Sequence, residues 1–382
     1  MKQSLRPLLL PLVPAYRLAL LLRELRLGTS FEPMRRLRWP VVSIGNLSTG
    51  GAGKTPLTIA LAKALEARGL RVDMLSRGYG RTSQLPARVR PDGAAVDFGD
   101  EPLLIARETG VPVYVAAQRY QAGLLAEAEH PRTGEWGGVV SGHDFSRADE
   151  VNKMGRASAP AGCLSDNSAE PEPTSASSLA PEQCIHLLDD GFQHRQLARD
   201  VDILLLNRQD FAGALLPAGN LREPLNAIRR ASVLAIPADD PQLEAELRAW
   251  GWIGPIWRLH RKMKIPSIDG PVVAFCGIAR PDQFFAGLEA AGLQIALRKS
   301  FPDHHRYTLA DLRRLVSSAR AVGAATLITT EKDKIRLEHL FSSLPESLPL
   351  KTASLRIEIE NLSAAVDWLA NQLAPPPPTP PL

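Results

Sequence analysis

Apolar residues fall in short blocks along most of the chain, and the spacing within the blocks alternates between two kinds. Val41-Val42-Ser43-Ile44 forms an almost unbroken apolar run, followed by a glycine-rich loop and then helix-spaced apolar positions over about 56–68. The alternation recurs, with strands predicted over 71–75 and 111–115, a helix over 118–128, and strands over 185–188 and 201–206. A second series places strands at 272–276, 294–297 and 325–329 between helices at 281–291 and 309–322, with a last helix over 357–373. Strands that alternate with helices predict an α/β fold built on a doubly wound, mainly parallel sheet.

The pattern changes at both ends and once in the middle. Residues 8–26 are leucine-rich but interrupted by Pro11, Pro14 and Arg17, so no uncharged run approaches the ~18 residues a spanning helix needs. From 15 to 26 the spacing predicts an amphipathic helix with Leu18, Leu21, Leu22 and Leu25 on one stripe. That stripe would either pack on the core or lie in an anionic membrane interface. Between 131 and 183 the periodicity stops in favour of a Ser/Ala/Pro-rich stretch, which is expected to be a surface insertion, mostly disordered. The expected organisation is an amphipathic segment (1–39), a first α/β domain (40–231), a smaller second α/β domain (232–356), a helix folding back on the first (357–373) and a proline-rich tail (374–382).

Composition narrows the class. At roughly 150 residues per domain, 382 residues suggest two domains. A hydrophobic share of 45% against 23% charged residues excludes wholesale disorder. The formal net charge of +4 is local, because residues 1–40 hold eight basic side chains against two acidic ones. No protein-wide surface for nucleic acid is therefore expected, and nothing points to an obligate protein partner. Three cysteines, none in a C-x-x-C pair, argue against a disulfide framework or a cysteine zinc site.

The strongest chemical signal is Gly50-Gly51-Ala52-Gly53-Lys54-Thr55 between a predicted strand and a predicted helix. Phosphate oxygens need inward-pointing backbone N–H groups, which side chains would obstruct, and a helix N-terminus adds its dipole. Lys54 would reach the β- and γ-phosphates, and the Thr55 hydroxyl would meet Mg²⁺. The strict pattern wants glycine at 48, where this chain has Ser48. A metal-side carboxylate should end an apolar strand, and Ile185-His186-Leu187-Leu188-Asp189-Asp190 fits, although paired aspartates also form ordinary turns. Gly99-Asp100-Glu101-Pro102 offers a second acidic pair.

Taken in order, several segments resemble the tetraacyldisaccharide 4′-kinase family of lipid A synthesis. They are Gly45-Asn46, GGAGKTP (50–56), SRGYGR (76–81), GDEP (99–102), LDDGFQH (188–194), LREP (221–224), FPDH (301–304) and TEKD (330–333). The resemblance implies transfer of the ATP γ-phosphate to the 4′-hydroxyl of tetraacyldisaccharide 1-phosphate, giving lipid IVA. It also implies a peripheral enzyme on the cytoplasmic face of the inner membrane, held there through residues 8–26. Carried onto this chain, it gives Asp100 as catalytic base, His304 as its partner and Lys54 on the transferred group. ATP would lie on Ser48, Thr49, Gly50, Gly51, Ala52, Gly53, Lys54 and Thr55. Mg²⁺ would be held by Thr55, Glu101 and Asp189, and the substrate by Asp190, Arg77, Arg119 and Arg222. The insertion at 131–183 is absent from the family pattern.

Three rival readings share the glycine-rich loop. A deviant-Walker switch ATPase at the membrane would carry a lysine just ahead of the glycine pair, where this chain has Thr49, and a GTPase would need an N-K-x-D motif that is not visible. A non-catalytic nucleotide-regulated scaffold would leave Asp100, Glu101 and His304 without a role.

Overall fold

The computed structural model describes residues 3–27, 29, 33–51, 53–129, 184–341 and 348–374. The expected insertion, Ala52 and all but the first residue of the expected tail lie outside them. A 3-10 helix (Gln3–Leu12) leads into α1 (Val13–Arg26). There follow β1 (Val41–Asn46), α2 (Lys54–Ala67), β2 (Arg71–Ser76), β3 (Ala87–Arg88), α3 (Ala95–Phe98), α4 (Asp100–Thr109), β4 (Val113–Val115), α5 (Arg119–Glu129), β5 (Cys184–Asp189) and β6 (Val201–Leu205). The chain continues through α6 (Arg208–Phe211), β7 (Val233–Pro237), α7 (Pro241–Ala249), β8 (Ile256–Lys264), β9 (Val272–Cys276), α8 (Pro281–Ala290) and β10 (Ile295–Ser300). It closes with α9 (Leu309–Ala321), β11 (Thr326–Thr330), α10 (Glu331–Phe341), β12 (Leu350–Ile359) and α11 (Leu362–Leu373).

The twelve strands form one sheet in the order β10-β9-β11-β12-β8-β7-β6-β1-β5-β2-β4-β3. All neighbours are parallel except β12 with β8 and the short edge pair β3 with β4. The register of β8 and β12 explains the shape. The first half of β8 (Ile256–Leu259) pairs with β7, while its second half pairs with the second half of β12. The first half of β12 pairs in turn with β11. Each long strand therefore runs parallel within its own half-sheet, overshoots the C-terminal edge, and meets the other strand antiparallel. Two parallel half-sheets of opposite direction are spliced this way, with their C-terminal edges turned toward one gap. In open parallel sheets the C-terminal edge is where ligands bind.

Local sequence accounts for the elements. β1, β5 and β6 are apolar runs buried on both faces, as strands of a helix-covered parallel sheet must be. α9 starts at a capping box of Thr308 with Asp311, and α7 and α8 begin with proline, whose fixed φ suits the first turn. α2 buries Leu57, Leu61 and Leu65 completely, each contributing about 1.5–3 kcal/mol relative to exposure.

Two boundaries differ from the sequence expectation. The helix expected from 357 starts at Leu362, because residues up to Ile359 finish β12. β12 carries charged residues between its apolar ones, which thins its strand signal. α11 then packs Ala365, Val366, Leu369 and Leu373 into the core that holds α2. The division expected at 232 falls between β6 and β7, yet β7 pairs parallel with β6. The half-sheets part inside β8 and β12 instead. α1 turns Val13, Tyr16 and Leu20 toward a core cluster with Leu47, Phe192 and Trp252, whereas Leu18, Leu21, Leu22 and Leu25 are exposed.

Candidate functional site

A cleft of about 950 Å³ opens between the two C-terminal edges. On one side β1 ends at Asn46, and the turn to α2 passes through Gly50 at φ +106° and Gly53 at φ +95°. Gly53 is the residue ahead of the first turn of α2, and its left-handed backbone leaves the helix N-terminus open toward the cleft. Thr49, Gly50, Gly51, Gly53, Lys54 and Thr55 line the gap. Ser48 does not line it; its hydroxyl and carbonyl accept from the Asn46 side-chain amide at 3.1 and 2.9 Å, bracing the turn from below. The Lys54 ammonium donates to Asn46 Oδ1 at 2.8 Å and lies 3.3 Å from Asp190.

β5 delivers Asp189 and Asp190 beside this turn. Asp189 is buried, and its pKa is raised by that burial and by the neighbouring charges of Glu101 and Asp190, against Lys54 and Lys332. Burial also opposes ionisation of Asp190, but Lys54, Arg222 and Arg119 outweigh it and hold the carboxyl below its ordinary range. Arg222 approaches the Asp190 carboxylate at 3.1 and 3.3 Å. Buried Arg119 donates to the carbonyls of Asp189 and Asp190 at 3.2 and 2.9 Å. Exposed Arg77 follows β2 at the same edge. His194 is pushed down to about 3, by burial first and then by the cations Arg119, Arg199, Arg77 and Arg23.

The rest of the site forms where α4 meets the facing half-sheet. Gly99, at φ +91°, lets the chain enter α4 hard against the backbone of Gly78 and Tyr79, with Asp100 at the first helical position. Asp100 is buried and faces two partners from the far half-sheet. Arg336 on α10 grips it through Nε at 2.8 Å and also through Nη2, and His304 Nδ1 stands 3.3 Å from the same oxygen. Burial opposes the charge of Asp100, but the His304 hydrogen bond, Arg336 and Lys332 hold its pKa far below the usual carboxylate value. His304 moves the opposite way, raised chiefly by its hydrogen bond to Asp100 against partial burial and the cation of Arg336. Arg336 is itself fixed by Asp333 and the Gly277 carbonyl, both at 2.9 Å. Lys332 pairs with Glu101 next to Asp100.

The site residues expected from sequence are thus largely brought together. Glu101, Asp189, Asp190, Arg77, Arg119, Arg222 and His304 line the cleft with the Lys54 turn. Asp100 does not: it stands behind His304, enclosed by its ion pair, so His304 is the member of that pair presented to a ligand. Asn46, Gln193 and Lys332 were missed as site residues although they lie inside quoted motifs. Arg336 was missed too; its only signal is its place one helical turn beyond Asp333.

For Mg²⁺, the donors at hand are hard oxygens: the Thr55 hydroxyl and the carboxylates of Asp189 and Glu101. The pKa of Asp189 is raised first by burial and then by the neighbouring carboxylates Glu101 and Asp190, whose charge a cation would offset. Among the described residues no three acidic, His or Cys side chains form a metal-holding cluster.

The Asp100–Arg336 pair makes a prediction. Both side chains are nearly buried, and Arg336 also pairs with buried Asp333. Arg336→Met, which leaves two buried carboxylates without that cation, should lower unfolding stability by roughly 3–5 kcal/mol, and Asp100→Asn, which leaves Arg336 paired with Asp333, should lower it by less, as read by denaturant melts. Because the folded pKa of Asp100 is depressed, this contribution is present above about pH 4 and fades as pH falls below it.

Comparisons with known proteins agree with one another. A family model described as tetraacyldisaccharide-1-P 4′-kinase matches residues 5–374. A tetraacyldisaccharide 4′-kinase of Koribacter versatilis is 36% identical over 369 residues, covering 94% of this chain and 96% of its own. One from Anaeromyxobacter dehalogenans is 36% identical over 361 residues, covering 87% of this chain and 81% of its own. The crystal structure of the "apo" form of LpxK from Aquifex aeolicus in complex with ATP superposes with a TM-score of 0.65 at 28% identity, covering 97% of this chain and all of that one.

Proposed function

We infer the reaction from one premise: the chain belongs to the tetraacyldisaccharide-1-P 4′-kinase family. It is an ATP-dependent kinase of lipid A synthesis, and the switch-ATPase alternative is not favoured. We propose that the γ-phosphate of ATP passes to the 4′-hydroxyl of tetraacyldisaccharide 1-phosphate, giving lipid IVA. The observation that carries this reading is that the Lys54 turn and His304, with Asp100 behind it, meet at one cleft.

In this mechanism the triphosphate lies on the backbone N–H groups of the turn and on the α2 N-terminus. Lys54 exchanges its contacts with Asn46 and Asp190 for the transferred group. Mg²⁺, held by Thr55 with Asp189 and Glu101, would neutralise phosphate charge when bound. The 4′-oxygen forms its bond to the γ-phosphorus as the bond to the bridging oxygen breaks, leaving ADP. The hydroxyl proton passes to Nε2 of His304, and Asp100, 3.3 Å from Nδ1, balances the imidazolium that forms. Arg77, Arg119 and Arg222 offer the positive surroundings that the acceptor's 1-phosphate requires.

Membrane attachment belongs to the same proposal. No described helix is long and apolar enough to cross a membrane. The exposed leucines of α1 and its arginines suit an anionic interface, here the cytoplasmic face of the inner membrane. Tyr16 donates to the Arg222 carbonyl at 2.8 Å and Arg23 to that of Gln193, so a bilayer-held α1 would adjoin the acceptor side of the cleft.

Three outcomes are expected. Purified protein in detergent, given ATP–Mg²⁺ and tetraacyldisaccharide 1-phosphate, should add one phosphoryl group to the lipid by mass spectrometry, and Lys54→Ala should slow this by roughly 100-fold or more. An unchanged lipid with folded, ATP-binding protein would reject the kinase reading. Turnover should rise with pH through a limb lying above the ordinary imidazole value of 6.5, since neutral His304 must accept the proton. Asp100→Asn should move that limb to lower pH and cut kcat by roughly 100-fold or more while sparing ATP affinity; an unmoved limb would remove His304 from the role. In flotation with phosphatidylglycerol vesicles, Leu18→Glu with Leu21→Glu should abolish binding, and undiminished flotation would count against α1 as the anchor.

A further inference from the structure

The cleft holds two separate groups of arginines, and only one faces the acceptor side. Arg77, Arg119 and Arg222 cluster around Asp189 and Asp190, and their charges act on one another there. Arg261 on β8 and Arg280 at the start of α8 stand over the phosphate turn. A Cβ placed on Gly53 would lie 3.3 Å from Arg261 Nη2, and one placed on Gly50 would lie 3.5 Å from Ala279 Cβ, next to Arg280. Both arginines line the cleft. Neither has an ion-pair partner among the described residues, whereas Arg23, Arg119 and Arg222, which also line the cleft, each hold a carboxylate or a carbonyl. The guanidinium of Arg261 is disfavoured first by burial and then by Arg280, with Asp239 opposing. Two cations held near each other without an ion-pair contact repel, and an anion placed between them and the turn would relieve that repulsion.

The geometry points to Arg261 and Arg280 as a second phosphate clamp, which closes from the splice and the far half-sheet onto the β- and γ-phosphates of the nucleotide. The turn binds a triphosphate from one side with backbone N–H groups and Lys54; these guanidinium groups would meet it from the other. Arginine suits the task because its planar fork donates to phosphate oxygens in pairs and stays charged on partial burial.

This assignment rests on the reading of the cleft as an ATP site, and the experiment separates the two. Binding of ATP, ADP and AMP, each with Mg²⁺, is measured by calorimetry on the full chain in detergent, for wild type, Arg261→Ala and Arg280→Ala. The glutamine variants Arg261→Gln and Arg280→Gln serve wherever an alanine variant fails to melt cooperatively. Each substitution should weaken ATP by about tenfold or more, the scale of one charge-assisted hydrogen bond. ADP should weaken less, AMP should be unchanged, and KM for the lipid acceptor should stay put. Equal losses for all three nucleotides, or intact ATP affinity with a raised acceptor KM, would overturn the clamp. Wild-type protein that bound none of the three would instead overturn the ATP site itself.

Discussion

The antiparallel pairing of β8 with β12 is the constraint on which the architecture depends. Parallel sheets present their loops of chemical use at the C-terminal edge, and a single parallel sheet has only one such edge. Here two parallel half-sheets run in opposite directions, and each sends one long strand past its own edge to pair with the other's. The splice brings two C-terminal edges onto a common gap. The Lys54 turn and Asp189–Asp190 come from one, and His304, Lys332 and Arg336 from the other. Neither half contains a complete set of these groups.

Charge holds the gap in its present form. The Asp100–Arg336 and Glu101–Lys332 pairs cross from α4 to α10, and Arg107 with Glu338 continues the seam outward to solvent. The inner pairs are shielded, so they matter more than the exposed outer one. Toward the phosphate turn, burial together with the charges of Glu101 and Asp190 raises the pKa of Asp189 against Lys54 and Lys332. The site is thus built to gain from the arrival of a polyanion together with a cation.

Much of this was legible in the sequence, for physical reasons. Strands of a covered parallel sheet must be apolar on both faces, so β1, β5, β6 and β9 announce themselves. The phosphate turn is equally visible, because only glycine tolerates the backbone of Gly50 and Gly53. Other features were not. β8 and β12 mix charged and apolar residues, since their paired stretch lies beyond both half-sheets, and so they read as neither strand nor helix. That same obscurity displaced the expected domain boundary and the start of α11. Arg336, Arg261 and Arg280 carry no motif. Their meaning arises only from what stands opposite them across the gap, and that distance is invisible along one chain. Asp100 was found by pattern, but its enclosure behind His304 depends on a partner 236 residues away.

The central claim is that the far half-sheet delivers the proton acceptor to a phosphate bound by the near one. It is tested most directly by a crystal structure of the full chain with a non-hydrolysable ATP analogue, Mg²⁺ and tetraacyldisaccharide 1-phosphate. The account predicts the γ-phosphate on the Lys54 turn and the acceptor's 4′-oxygen in line with it, within about 3 Å of His304 Nε2 or bridged to it by one water. A 4′-oxygen seated against Asp189 or Asp190, with His304 turned away from it, would contradict the account.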